Sequence, residues 1–357
     1  MLCALAACGF RASDVPIDGA GDPSDGPGEP DAPPDSSIDG PPSAGCSGTF
    51  AQVCLVTIPM TSLDVNAPLT IDTDTSPLCV ATANGTAIDA CVLVGANVTI
   101  NQRIEARGSR PLVLLATTGQ VIVNGTGVID VSSQGSGGRG AGALITCVGT
   151  TPAGSRAGGH GGSFVGRGGR GGDGQGAGGV AGAPAALPVP LRGGCPGGAG
   201  EGGSLGGLGG GAVALIAPVR VTINGLVHAS GGGGRGGASN GQNGGGGGGS
   251  GGSIWLDAPN VVINSSGKVA AQGGGGGQGS NPPTAGTAGG DVVIPGIAAT
   301  GGTNPSAGGT GGLGGRAGAG VDGGSTGTGG GGGGGTGWFR SADPTPDVFG
   351  LAVPPPS

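Results

Sequence analysis

The chain has 357 residues, 96 of them Gly and 28 Pro, with five Phe, two Trp and no Tyr, and its formal net charge is −7. Glycine far above its usual share would suit a linker or a disordered polymer, but here it is confined to blocks separated by Val/Ile/Leu-rich segments. The scarcity of aromatic rings argues against a single-stranded nucleic-acid platform, and no apolar run is long enough to span a bilayer.

At the amino terminus, Leu5-Ala6-Ala7-Cys8 matches a bacterial lipobox, which predicts a lipidated Cys8 and an attachment to a membrane surface. Residues 1–8 read as the remnant of a signal whose basic and apolar regions begin upstream. Residues 9–45 follow as Asp, Pro, Gly and Ser, with acidic residues crowded between Asp14 and Asp39. That composition predicts a disordered, self-repelling tether. Gly9 behind the lipidated Cys8 favours the outer membrane or cell surface over retention at the inner membrane.

Six cysteines lie beyond the lipobox: Cys46, Cys54, Cys79, Cys91, Cys147 and Cys195. They lack CxxC spacing, and His160 and His228 are far from any cysteine cluster, so disulfides are expected and a metal site is not. Six cysteines allow about fifteen pairings. The simplest is sequential: Cys46–Cys54, Cys79–Cys91 and Cys147–Cys195. Disulfides in turn predict an exported chain.

Residues 46–95 alternate apolar and polar residues through Val53–Ile58, Leu69–Ile71 and Ala87–Val94, which predicts a disulfide-stapled β cap. Residues 96–340 then repeat one pattern: a β-branched strand, an Asn corner, a second short strand and glycine-rich chain. The corners are Asn101, Asn124, Asn224 and Asn264. An Asn-Gly pair between strands is also a hairpin signal, but the segment after each corner is too short to be the partner of the strand before it. Units that cannot bury their apolar face alone stack. The expected fold is therefore all-β: a right-handed parallel β-helix with long glycine-rich loop insertions, preceded by the disordered acidic tether. Asp291-Val-Val-Ile-Pro-Gly-Ile reads as a degenerate coil, Gly337-Trp-Phe-Arg as the closing strand, and residues 341–357 as a Pro-rich tail. Within the glycine blocks a three-residue period recurs, as in Gly166–Asp173; flexible loops are the expectation, with bundled polyproline-II segments as the alternative.

In these features the chain resembles glycine-rich repeat lipoproteins of the myxobacterial type. The shared elements are Leu5-Ala-Ala-Cys8, the acidic tether, the Ala-Pro-x-Val-x-Ile-Asn-Gly coils, the glycine insertion flanked by Cys147 and Cys195, and the closing Gly-Thr-Gly-Trp-Phe-Arg. The coils are also similar to those of β-helical adhesins. The resemblance implies a surface-anchored architecture without naming a ligand.

Enzymes on β-helices use clustered carboxylates. Glu105, Asp130, Glu201, Asp257, Asp291 and Asp322 are isolated in sequence, and Asp72 with Asp74 reads as a solvated strand face. No catalytic residue and no cofactor is assigned. The functional expectation is a lipid-anchored, non-enzymatic surface protein with an adhesive or matrix role, whose partners are the membrane and an extracellular polysaccharide or another surface protein, and not nucleic acid. A carbohydrate-active β-helix enzyme and an ice- or mineral-binding glycine-rich bundle are the alternatives.

Overall fold

Short strands rich in Val, Ile and Leu build three parallel sheets, of six, five and six strands, and the chain visits them in rotation. The computed structural model describes residues 45–357 apart from Asn84, Gly149 and Pro188. Cys8, its lipobox and the tether through residue 44 lie outside the described residues. One circuit is Val98–Ile100, Arg103–Arg107 and Leu112–Ala116, one strand per sheet. The next is Gln120–Val123, Val128–Asp130 and Ala212–Ile216. Arg220–Ile223, Leu226–His228 and Ser253–Asp257 follow, and then Val261–Ile263, Lys268–Ala270 and Trp338–Ser341. Each strand pairs in parallel with its counterparts one circuit away, a connectivity consistent with a β-solenoid.

Alternation decides which residues face inward. In the first sheet Val98, Val121, Val221 and Val261 share one register position, and Ile100, Val123, Ile223 and Ile263 the next. All eight are fully buried. Burying one such side chain is worth about 1.5–3 kcal/mol, so equivalent positions stack apolar residues into one continuous core. Phe339, also fully buried, fills that core in the circuit completed by Trp338–Ser341. The third sheet differs, because Leu112–Ala116, Ala212–Ile216 and Ser253–Asp257 are buried at every position. Strands covered on both faces read as unbroken apolar runs, as Leu112-Val-Leu-Leu-Ala and Ala212-Val-Ala-Leu-Ile do.

The outer face of the third sheet is covered by Phe164, Val189 and Leu191 and by the amino-terminal hairpin Gly45–Ser47 and Val53–Leu55, closed by Cys46–Cys54. Ala51, Val53 and Leu55 pack on Val92, Val113, Leu115 and Ile216. Phe50, Trp255 and Trp338 form an edge-to-face series, with the Arg340 guanidinium stacked on the Phe50 ring. Of the segment expected as a cap, residues 46–95, only the part through Leu55 thus lies along the flank. The stack also begins earlier than residue 96, since Leu63–Val65, Leu69–Asp72 and Cys91–Gly95 already pair in parallel with the following circuit. At the other end, Asp347–Val348 and Leu351–Val353 continue two of the sheets, so residues 341–357 are not merely a tail. Residues 291–297 form no strand; Val293 is 85% and Ile297 58% exposed, so no coil forms there.

The Asn corners align between circuits. Asn101 Nδ2 donates to Asn66 Oδ1 (2.7 Å), Asn124 Nδ2 to Asn101 Oδ1 (2.6 Å) and Asn264 Nδ2 to Asn224 Oδ1 (2.6 Å). Asn66 escapes a sequence reading because Leu63-Asp-Val before it has one β-branched residue where Val98-Thr-Ile has three.

Residues 131–211, 229–252 and 271–337 all leave the stack at the same corner, between the second and third strands of a circuit. They are not loose loops. Gly245, Gly248 and Gly251 donate to the carbonyls of Gly329, Gly332 and Gly335 (2.9, 2.9 and 3.0 Å). Gly246, Gly249 and Gly252 donate to Arg235, Gly232 and Ala229, and Gly244, Gly247 and Ser250 to Glu201, Gly198 and Cys195. Three residues per turn thus send successive N–H groups to three different neighbours. The result is a bundle bonded almost wholly through backbone, in which a side chain would have no room: a Cβ on Gly247 would stand 1.8 Å from the carbonyl oxygen of His160.

Candidate functional site

The second sheet faces one edge of this bundle, and the groove between them sets polar and charged groups among the aliphatic Val128, Leu226, Val292 and Val293. Its strands turn Ile104, Ile129, Val227 and Val269 inward, which sends their neighbours outward. Parallel register then stacks Glu105, Asp130 and His228 in one row, although they are far apart in the chain. Loops at 132–134 and 291–293 close the groove into a cavity of about 310 Å³, lined among others by Arg103, Asp130, Gln134, His228 and Asp291.

The carboxylates here are held firmly. Asp130 Oδ1 accepts the Ser132 amide (2.8 Å) and hydroxyl (2.6 Å), while Oδ2 accepts from Arg103 Nη2. Asp291 Oδ1 accepts the amides of Gly135 (2.8 Å) and Gly233 (2.7 Å), tying all three excursions together. Glu105 receives Arg107 Nη2 at 2.9 Å, and Arg107 also donates to the Ser132 carbonyl.

His228 is different. Its residue exposure is 8%, its Nδ1 stands 3.8 Å from Asp130 Oδ1, and its Nε2 has no hydrogen-bond partner among the described residues. Burial is the largest influence on the imidazole and lowers its proton affinity; Asp130 pulls the other way, Arg103 and Arg107 reinforce the lowering, and Asp291 opposes it. A buried polar atom without a partner carries a desolvation cost of about 1–3 kcal/mol. A ligand hydroxyl would relieve it once a small shift of the ring opened Nε2 to the cavity, with a neutral imidazole accepting or donating according to tautomer.

None of the cysteine or Asn residues given a role from sequence lines this cavity. Cys46–Cys54, Cys79–Cys91 and Cys147–Cys195 are all bonded, in the sequential pairing, and serve the flank, the first circuit and the first excursion. The Asn residues build corners. Asp72 and Asp74 organise a turn: Asp72 accepts from the Asp74 amide and the Thr75 hydroxyl, and Asp74 from the Ser109 amide and hydroxyl. The Ser109 hydrogen bonds hold the Asp74 carboxyl below its ordinary range. Asp130 and Asp291 were visible in sequence only as isolated carboxylates. Superposing Val128-Ile-Asp on Leu226-Val-His would have stacked Asp130 on His228.

Among the described residues, no group of three His, Cys, Asp or Glu side chains converges as a metal site, and no helix is long and apolar enough to cross a membrane. Three disulfides suit an oxidising compartment outside the cytoplasm. Comparison with family models, with curated proteins and with solved structures finds no match.

Proposed function

We propose that the chain is an exported, non-enzymatic surface scaffold, a right-handed parallel β-helix that binds an extracellular glycan in the groove beside His228. The handedness follows the strong preference of parallel crossovers for a right-handed path. The observation that carries the binding reading is a cavity in which Arg103, Asp130, Gln134, His228 and Asp291 converge, with the Nε2 of His228 lacking a partner among the described residues. A polyol can satisfy such a set, whereas an apolar ligand cannot. Cys8 supplies the lipid anchor in this reading.

Screening the full chain against an array of extracellular polysaccharides tests it. Wild type should retain at least one glycan, and His228→Ala should weaken that binding about tenfold while leaving the melting temperature within a few degrees. Retention unchanged by H228A, or no retained glycan, would remove the reading. For the anchor, Cys8→Ser should move the expressed protein from the detergent to the aqueous phase.

The second reading, a carbohydrate-active enzyme, draws on the Asp130–His228 pair itself. Against it, both oxygens of Asp130 are engaged, and Asp291 is fixed by two backbone amides. Release of reducing ends or unsaturated uronates from a retained glycan, abolished in Asp130→Asn, would favour this reading over pure binding. An ice-binding role fits less well, because Arg167, Arg170, Arg235 and Arg316 set charges on the outer surface of the bundle.

A further inference from the structure

The first excursion encloses a separate cavity of about 550 Å³, away from the His228 groove, and its chemistry is of another kind. Leu144, Val148, Pro184 and Pro196 line it, together with the Cys147–Cys195 disulfide. Its volume lies within the range of small-molecule sites.

One cation stands in this apolar wall. The Arg192 guanidinium carbon lies 4.6 Å over the ring of Phe164, which is itself fully buried. Burial depresses the proton affinity of Arg192, yet a guanidinium stays charged under any ordinary condition. No Asp or Glu forms an ion pair with it among the described residues. The neighbouring Ser163 is already committed, donating to the Gly182 carbonyl (2.7 Å) and accepting from the Gly168 amide (2.9 Å). A ring face compensates only part of the charge, and an apolar residue at position 192 would fill the wall at no such cost.

We propose that this cavity binds a small organic acid with an apolar body. The carboxylate sits on the planar guanidinium of Arg192, which suits a two-point contact, and the hydrocarbon lies against Leu144, Pro184 and Pro196. The disulfide fixes the far wall, so the site is built before the ligand arrives. The proposal is independent of glycan binding, because the two cavities share no residue.

Calorimetric titration of the full chain with decanoate, decanol and acetate tests it. Decanoate should bind at least about tenfold tighter than decanol, as one charge-assisted contact would give, and acetate should give no heat. Arg192→Leu should erase the preference for decanoate over decanol. Val148 is 93% exposed, so Val148→Asp leaves folding intact while setting a negative charge at the rim; it should weaken decanoate about threefold or more. Should R192L fail to fold, V148D carries the decision alone. The proposal is overturned by absence of decanoate binding, by equal affinity for decanol, or by decanoate affinity unchanged in the variants that fold.

Discussion

At the scale of single residues, glycine acts in the bundle through the space it leaves. Gly247 and Gly333 would each place a Cβ 1.8–1.9 Å from a backbone carbonyl oxygen, of His160 and of Leu313. A carbonyl tied into neighbouring segments cannot swing aside as a side-chain tip can. Gly247→Ala should therefore cost about 3 kcal/mol, read as a large drop in melting temperature. Gly318→Ala meets nothing within 4 Å and should stabilise by about 0.4–1 kcal/mol. The two histidines give a second residue-scale expectation. Burial lowers the proton affinity of both His160 and His228 below the ordinary 6.5. The unfolded chain thus takes up protons near pH 6.5 that the folded chain refuses, so stability is full above that pH and falls below it. The melting temperature should decline from pH 7 to pH 5, and the His160→Gln/His228→Gln double variant should show a flatter slope.

Elements divide sharply into those the sequence announces and those it conceals. The coils are legible because Val98, Val121, Val221 and Val261 occupy one ladder, and each copy brings the same alternation and the same corner. The corner is an energetic device: Asn124→Ala removes the donor to Asn101 Oδ1 and should cost about 1 kcal/mol by chemical denaturation. Asn66→Ala should cost a similar amount, although no repeat signal marks it. The flanking hairpin is concealed, since Phe50 gives no hint that it will meet Trp255 from the other side of the third sheet. The groove is hidden for the same reason: Asp130, His228 and Asp291 meet only once the register of the second sheet and the course of two excursions are known. Glycine blocks are ambiguous by nature, because a three-residue period suits both a mobile chain and a bonded bundle. Backbone partners, which carry no side-chain signature, decide between them.

On the scale of the whole molecule, a side-chain core and a backbone-bonded bundle share one chain. Hydrogen exchange can tell them apart from flexible loops. The amides of Gly245–Gly251 should exchange as slowly as those of Ala212–Ile216, whereas an unstructured glycine polymer would exchange at once. Reducing Cys147–Cys195, which spans a sequence separation of 48, should loosen residues 131–211 before it affects the stack. The segment 329–337 has a further consequence. It donates to 156–162, 318–324 and 271–277, and it accepts from 245–251, 166–172 and 312–315. The centre of the bundle is thus made after every segment that it bonds to. Circuits near the amino terminus can stack as they emerge, but the glycine segments must wait for their central partner, and such distant contacts close slowly. Assembly therefore runs in two stages: β circuits first, and a bundle that closes only when residues 329–337 have been made.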